Sequence, residues 1–319
     1  MLRTSDERAE AVTGLPDKGL PEPGLPPAPA LPRTEQRNPR TTDIDVVSTT
    51  ELLTLLNAED ALVAPAVAKV TEVLAEVVEV TVGLLKAGGR VHYFGAGTSG
   101  RIGVLDAAEV VPTFGIEPGI FIAHQAGGEQ AVRRAVEGAE DRDALGAQAG
   151  AEVSAGDIAI GLSASGRTPY VAGALTAARA AGAVTVLVSS NPSAPLAALA
   201  DYALLVDTGP EAIAGSTRLK AATAQKLLLN SLSTAVMIRL GRTYSNLMVS
   251  LAGTNAKLRQ RQVTILMEAS GADEVTCRGE LARCEGDVRL ALLCLLSGLE
   301  PPRAAAALAA AHGSVRDAL

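Results

Sequence analysis

Tryptophan is absent from these 319 residues, and the aromatic residues together make up only 2% of them. Flat surfaces on which a bare sugar ring or an unpaired base could stack are therefore scarce, and a sugar would be gripped mainly by hydrogen bonds. Cysteine is nearly absent too. Cys277, Cys284 and Cys294 are odd in number and match no usual metal-ligand spacing, so buried, inert thiols are expected and no metal. The histidines His92, His124 and His312 form no visible ligand cluster. No apolar run approaches the roughly 18 residues needed to span a bilayer, and the first residues lack the apolar core of a signal peptide, so a cytoplasmic chain without a membrane partner is expected. Basic residues number 28 against 35 acidic ones, for a net charge of −7, and they are scattered. That field does not favour nucleic acid, and an anionic small ligand would need local help.

What the chain does have is apolar residues, at 48%, enough for a substantial core. Residues 1–33 are Pro/Gly-rich without periodicity and read as a disordered extension. Ser48-Thr49-Thr50-Glu51 has the form of a capping sequence before a helix over 52–57. A long Ala/Val/Leu/Glu helix is expected over 61–87, stopped by Gly88-Gly89. Short β-type runs at 91–94, 119–123, 158–162, 184–189 and 203–206 then alternate with helical patterns at 102–109, 129–137, 169–181 and 195–199. This alternation predicts a three-layer αβα sandwich around a five-stranded parallel sheet, with ligands at the carboxyl ends of the strands. A further helix over 218–240 and a small helical subdomain over 265–319 complete the expected organisation, with residues 34–264 forming the main domain.

Two strand ends carry chemistry. Gly95-Ala96-Gly97-Thr98-Ser99-Gly100-Arg101 leaves the first strand, and Ser163-Ala164-Ser165-Gly166-Arg167-Thr168 leaves the third. Glycines let backbone N–H groups converge, hydroxyls add donors, and the following helix adds the positive end of its dipole. Two such cradles suggest one phosphorylated ligand held from two sides. Ala214-Gly215-Ser216-Thr217-Arg218-Leu219-Lys220 is a third candidate anion site at a helix start. Gly95, Gly97 and Gly100 also fit the dinucleotide spacing, but the next strand ends in His124-Gln125-Ala126-Gly127-Gly128 rather than in the acid that would hold a ribose. No Gly-Lys-Ser/Thr ending makes the turn a P-loop.

The Ser-Ala-Ser-Gly-Arg-Thr turn resembles those of the sugar isomerase domain family of phosphosugar binders. The run from Arg101 through Asp106-Ala107-Ala108-Glu109 to Gly115 resembles the bacterial N-acetylmuramic acid 6-phosphate etherases. The likeness continues at residues 34–39, 57–60, 126–129, 137–141, 166–171, 215–226 and 244–249. Ala108, Val110 and Val111 stand where that family commonly has Ser, Cys and Pro.

The resemblance implies a homodimeric lyase without cofactor or metal that cleaves the D-lactyl ether of a phosphorylated amino sugar by elimination and hydration. It implies Glu109 as the acid that protonates the leaving lactate and Glu140 as the group on the proton-abstraction and hydration side. Thr98, Ser99, Ser163, Ser165, Thr168 and Ser216 are expected to hold phosphate and sugar hydroxyls, with Lys220 near the anionic groups. Asp106, Glu137 and Asp141 read as solvated or capping acids. A carboxylate is a weak base toward a carbon acid, so burial or a like-charged neighbour is needed. Ten residues of continuous helix separate Glu109 from Ser99 by roughly 15 Å, so a site near the dimer interface is expected unless the helix breaks. Two other readings use the same cradles: a phosphosugar isomerase, which would release no lactate, and a non-catalytic phosphosugar-sensing regulator related to glucokinase regulatory protein.

Overall fold

The computed structural model describes residues 31–251, 253 and 255–319, and the extension expected over 1–33 lies outside them up to residue 30. Arg33, placed in that extension, instead belongs to a 3-10 turn at Arg33–Glu35 and ion-pairs with Asp207 at 2.9 Å. Ser48 caps α1 (Thr49–Asp60) by accepting from the Glu51 N–H. The helix expected over 61–87 is two helices, α2 (Val63–Ala68) and α3 (Thr71–Lys86). Between them Val70 leaves helical geometry, and the Thr71 hydroxyl donates to the Ala68 carbonyl at the break.

The alternating region follows as β1 (Val91–Gly95), α4 (Gly97–Phe114), β2 (Phe121–Gln125), α5 (Gln130–Arg133), α6 (Asp143–Gly150), β3 (Ile158–Leu162), α7 (Pro169–Ala180), β4 (Val184–Ser189) and β5 (Tyr202–Leu205). α8 (Lys220–Arg239) closes it, and α9 (Ala256–Ser270), α10 (Glu274–Arg283), α11 (Val288–Ser297), α12 (Pro301–Ala310) and α13 (Val315–Ala318) form the C-terminal part. All five strands are parallel in the order β2-β1-β3-β4-β5.

Side chains alternate across this sheet with the two-residue period of a strand. Val91, Tyr93, Ile158, Ile160, Val186 and Val188 pack on one face with α2, α3, α4 and α8. Phe94, Ala159 and Leu187 pack on the other with Tyr170, Val171, Ala174 and Leu175 of α7. β1 and β3 are thus buried along their whole length, and β3 accordingly reads as a continuous apolar run, while β1 carries the buried His92 within it. Between α4 and α8 a polar contact runs through the core: Asp106 accepts from Tyr93 Oη at 2.8 Å and from Ser233 Oγ at 3.0 Å. Asp106 is therefore neither solvated nor a cap, and burial raises its pKa.

The C-terminal helices share a separate apolar cluster that begins at Val249 and includes Val263, Leu266, Leu292 and Val315. The boundary expected at 264/265 falls inside α9, whose Val263 and Leu266 both belong to that cluster. Cys277, Cys284 and Cys294 are buried free thiols.

Candidate active site

Strand order reverses between β1 and β3, and in doubly wound sheets the crevice at such a point, beyond the carboxyl ends of the strands, is where ligands sit. Gly95 and Leu162 are register partners across these two strands, so both cradles emerge side by side at that crevice. The first is already helical: α4 begins at Gly97, earlier than the expected residue 102, and its N-cap Ala96 supplies no side-chain hydrogen bond. The first N–H groups of α4 take no side-chain acceptor from the N-cap residue. Gly100 is required by packing, because a Cβ there would lie 2.5 Å from the Gly95 carbonyl oxygen and 2.1 Å from Gln125 Oε1.

The second cradle is more heavily braced. Ser163 is buried, its Oγ accepts from the Gly166 N–H at 3.0 Å and shares a 2.8 Å hydrogen bond with Thr168 Oγ1. Ser165 Oγ accepts from the Arg167 N–H at 3.3 Å. From the end of β4, Asn191 Nδ2 donates to the Ser165 carbonyl at 2.9 Å, and Ser189 Oγ donates to the Ala164 carbonyl at 3.2 Å. Sequence reasoning passed over Ser189 and Asn191, although a Ser-Ser-Asn-Pro sequence at the end of the neighbouring strand was a signal for a turn packed against the cradle.

Glu140 joins the first cradle. A cavity of about 220 Å³ is lined by Ala96, Gly97, Arg101, Gln125, Glu137 and Glu140 among others. The helix expected over 129–137 is only α5, which Arg101 ties to α4 by donating to the carbonyls of Ala131 and Val132 at 2.8 and 2.9 Å. The Tyr170 N–H donates to the Glu140 carbonyl at 3.0 Å, tying Glu140 to the start of α7 beyond the second cradle. Glu140 is exposed, and Glu137 supplies a like-charged neighbour on the same cavity wall.

Glu109 is not brought there. α4 runs without a break past Glu109 to Phe114 because Val110 and Phe114 bury in the core, so the helix does not close at Glu109. Glu109 is exposed on its surface, roughly 15 Å along the helix from Ser99.

Lys220 is corrected outright. Its side chain is fully buried and its Nζ donates to Glu59 at 2.5 Å, so the ammonium is not open to a ligand. Glu59 also accepts from Asn38 Nδ2 at 2.7 Å and Arg40 Nη2 at 2.9 Å, and the hydrogen bonds from Arg40, Lys220 and Asn38, Arg40 first, hold its carboxyl down at about 2. The helix start beside Ser216 is no anion site either. Glu211 accepts from the Lys220 and Ala221 N–H groups, both at 2.9 Å, filling the N-terminus of α8 with the chain's own carboxylate. Ser216 lies half-buried in the turn before it.

Among the described residues, Glu280, Cys284 and Cys294 place three metal-type ligand atoms within 4.8 Å. Burial, above all, pushes the Cys284 thiol up to about 12. His92 and His124 instead form a stacked pair, Nδ1 to Nε2 at 3.0 Å, and burial followed by the His124 charge pushes His92 down to about 4.

A 2-1-3-4-5 parallel sheet is a doubly wound order shared by several ligand-binding folds, and Ser/Thr/Gly turns leaving β1 and β3 fit the sugar isomerase (SIS) class among them. Comparison with known proteins agrees. Residues 69–179 match the glucokinase regulatory protein N-terminal SIS domain, and residues 135–235 match the SIS domain. N-acetylmuramic acid 6-phosphate etherase of Thermobifida fusca is 59% identical over 83% of this chain and 87% of its own length. The protein of that name from Edwardsiella ictaluri is 48% identical over 90% of this chain and 96% of its own. A phosphoheptose isomerase from Francisella tularensis superposes with a TM-score of 0.49 at 17% identity, covering 60% of this chain and all of the other. The chain belongs to the N-acetylmuramic acid 6-phosphate etherase family.

Proposed function

We propose that this chain cleaves the D-lactyl ether of N-acetylmuramic acid 6-phosphate to give N-acetylglucosamine 6-phosphate and D-lactate, in the recycling of cell-wall amino sugars. The observation that carries this is a family member's double cradle at the sheet's switch point with a carboxylate, Glu140, on the wall of the adjoining cavity.

The phosphate sits on the open N-terminus of α4 with Thr98 and Ser99, while Ser163, Ser165 and Thr168 face it from β3. Glu140 removes the proton from carbon 2. The electron pair forms the carbon 2–carbon 3 double bond, the carbon 3–oxygen bond breaks, and the departing lactate oxygen takes a proton from Glu109. Water then adds: Glu109, now a carboxylate, takes one proton from it as its hydroxyl bonds to carbon 3, and Glu140 returns its proton to carbon 2, so both groups are restored. Two carboxyl groups suffice, and no cofactor or metal enters the reaction.

Glu109 reaches this chemistry from a second copy of the chain. The unbroken α4 supports that reading, since it keeps Glu109 and Ser99 of one subunit apart, and the reading is of a homodimer with its sites near the interface. Enclosure by the partner would also strengthen two carboxylates that are exposed on the single chain. Among the described residues no single helix is long and apolar enough to cross a membrane. We assign the enzyme to the cytoplasm, where the charge of a sugar phosphate retains it.

Mass-spectrometric detection of lactate released from N-acetylmuramic acid 6-phosphate tests the reaction. Release by the native chain, lost in Glu109→Gln, is the expected result, and properly folded protein that releases none overturns it. Mixing Glu109→Ala with Ser99→Ala subunits tests the sharing. Verified mixed dimers should regain activity, and unrestored activity in them excludes a shared site.

A further inference from the structure

At the opposite end of the sheet, around the amino ends of β1 and β2, lies a cavity of about 720 Å³, more than three times the size of the one beside Glu140. The volume falls in the roughly 300–1,000 Å³ range of small-molecule sites. It is not the substrate site, because the length of β1 alone, five residues, separates the two by roughly 15 Å.

Its floor is apolar, built from Leu85, Ile116, Ile120, Met237 and Leu240. Its walls carry Lys86, Arg90, Arg239 and Arg242, a concentration of cations on a chain of net charge −7. Two of these have partners on the chain: Arg90 meets Asp157 at 2.9 Å and Arg239 meets Glu79 at 3.3 Å. Lys86 and Arg239 also sit in the last turns of α3 and α8, where they offset the negative helix ends.

Arg242 has none of these explanations. It lies beyond the end of α8, is half-buried, and among the described residues its guanidinium has no carboxylate within 4.0 Å and no hydrogen-bond acceptor. Burial, and after it the charge of Arg289, pushes its pKa down. A guanidinium stays charged at any physiological pH, so an anion entering the cavity would offset the hydration it has lost. Asp317, the only carboxylate on the wall, makes no ion pair among the described residues.

One side of the cavity is closed by the C-terminal helices. Gly241 lets them approach, since a Cβ there would stand 2.8 Å from Ser314 Cα, and Ala311, His312 and Ser314 form that wall.

We propose that this cavity binds a small amphipathic organic anion, its charged group against Arg242 and Lys86 and its apolar body on Ile116, Ile120 and Met237. The ligand class is a phosphate monoester or a free carboxylate with a short hydrocarbon body, distinct from the substrate. It bridges the sheet and the C-terminal helices.

Calorimetric titration of the full chain with n-hexyl phosphate tests this, with inorganic phosphate and hexanol as head group and body alone. Hexyl phosphate should bind at least about tenfold more tightly than either part, because head and body are held at once. The affinity should be unchanged by saturating N-acetylglucosamine 6-phosphate, and it should fall about tenfold in Arg242→Gln, which removes a charge-assisted contact. Lys86→Gln, at an exposed helix end, should give a smaller loss and carries the test if Arg242→Gln does not fold. Displacement by the sugar phosphate, undiminished binding in the folded variants, or no binding by the native chain would each overturn the proposal.

Discussion

The N-terminus of α4, entered through Gly95-Ala96-Gly97-Thr98-Ser99, has no side-chain cap, whereas that of α8, entered through Gly215-Ser216-Thr217-Arg218-Leu219, is closed by both carboxylate oxygens of Glu211. In sequence the two lead-ins look alike. Both announce backbone N–H groups in need of an acceptor, and neither announces where the acceptor comes from. At α8 it is the chain itself, from a residue nine positions upstream of Lys220, and the lysine that looked like a substrate contact is absorbed into a buried pair with Glu59. At α4 the chain leaves the place open at the edge of a cavity. On the proposed reading, the phosphate takes the helix start that the fold has left without a side-chain acceptor.

The sharpest way to break this contrast is at the open end. Glu140→Gln should lower lactate release by about 10²–10⁴-fold, the usual worth of a general base, while leaving thermal stability unchanged, since Glu140 is exposed. A loss under about tenfold would mean that the cavity beside α4 is not where the chemistry happens.

At the filled end the effect should move to stability. Lys220→Met removes one partner of a fully buried ion pair and should cost about 3 kcal/mol in urea unfolding, near the lower end of such losses because Arg40 and Asn38 remain on Glu59. The KM of the protein that stays folded should be unchanged. A raised KM with native stability would return Lys220 to the substrate and erase the distinction.

Ser163→Ala lies between these two in kind. It takes a hydroxyl from the second cradle and should raise KM by about tenfold, or about 1–2 kcal/mol, with a smaller change in stability. Glu211→Gln should leave KM alone. Steady-state kinetics on the two variants, side by side, would separate the open cradle from the closed helix start.

The smallest effect is a graded one with pH. His92 is held at about 4 against an ordinary 6.5, so the unfolded chain binds the extra proton between those values, and the stability this group contributes is complete above about 6.5 and lost as pH falls toward 4. Glu59, held at about 2 against 4.5, contributes stability that is complete above about 4.5 and lost as pH falls toward 2. Stability should therefore weaken in two stages as pH falls, and His92→Phe should shrink the upper one, to which half-buried His124 also contributes, in urea titrations at several pH values.

Much of this was legible in the sequence for a definite reason. Strands buried on both faces announce themselves as apolar runs, and β3 and β4 fall on the residues expected for them. Cradles at strand ends are marked by glycine and hydroxyl. What was not legible depends on contacts between distant segments. Asp106 reads as a helix-surface acid until Tyr93 and Ser233 are seen closing on it from β1 and α8. Glu59 is 161 positions from Lys220 and nothing local couples them. Nor was it legible that α9, which has the pattern of any amphipathic helix, shares the apolar cluster of the C-terminal helices.

The unbroken α4 has one more consequence. Its 18 residues form a rod about 27 Å long, stiff enough that no loop movement can bring the acid on its side to the cradle at its start. On the two-subunit reading, each reaction centre is assembled from the beginning of one rod and the flank of another. Turnover per chain then depends on how concentrated the chains are: progressive dilution should extinguish activity while every molecule stays folded, and adding back an inactive copy that still carries Glu109 should rekindle it.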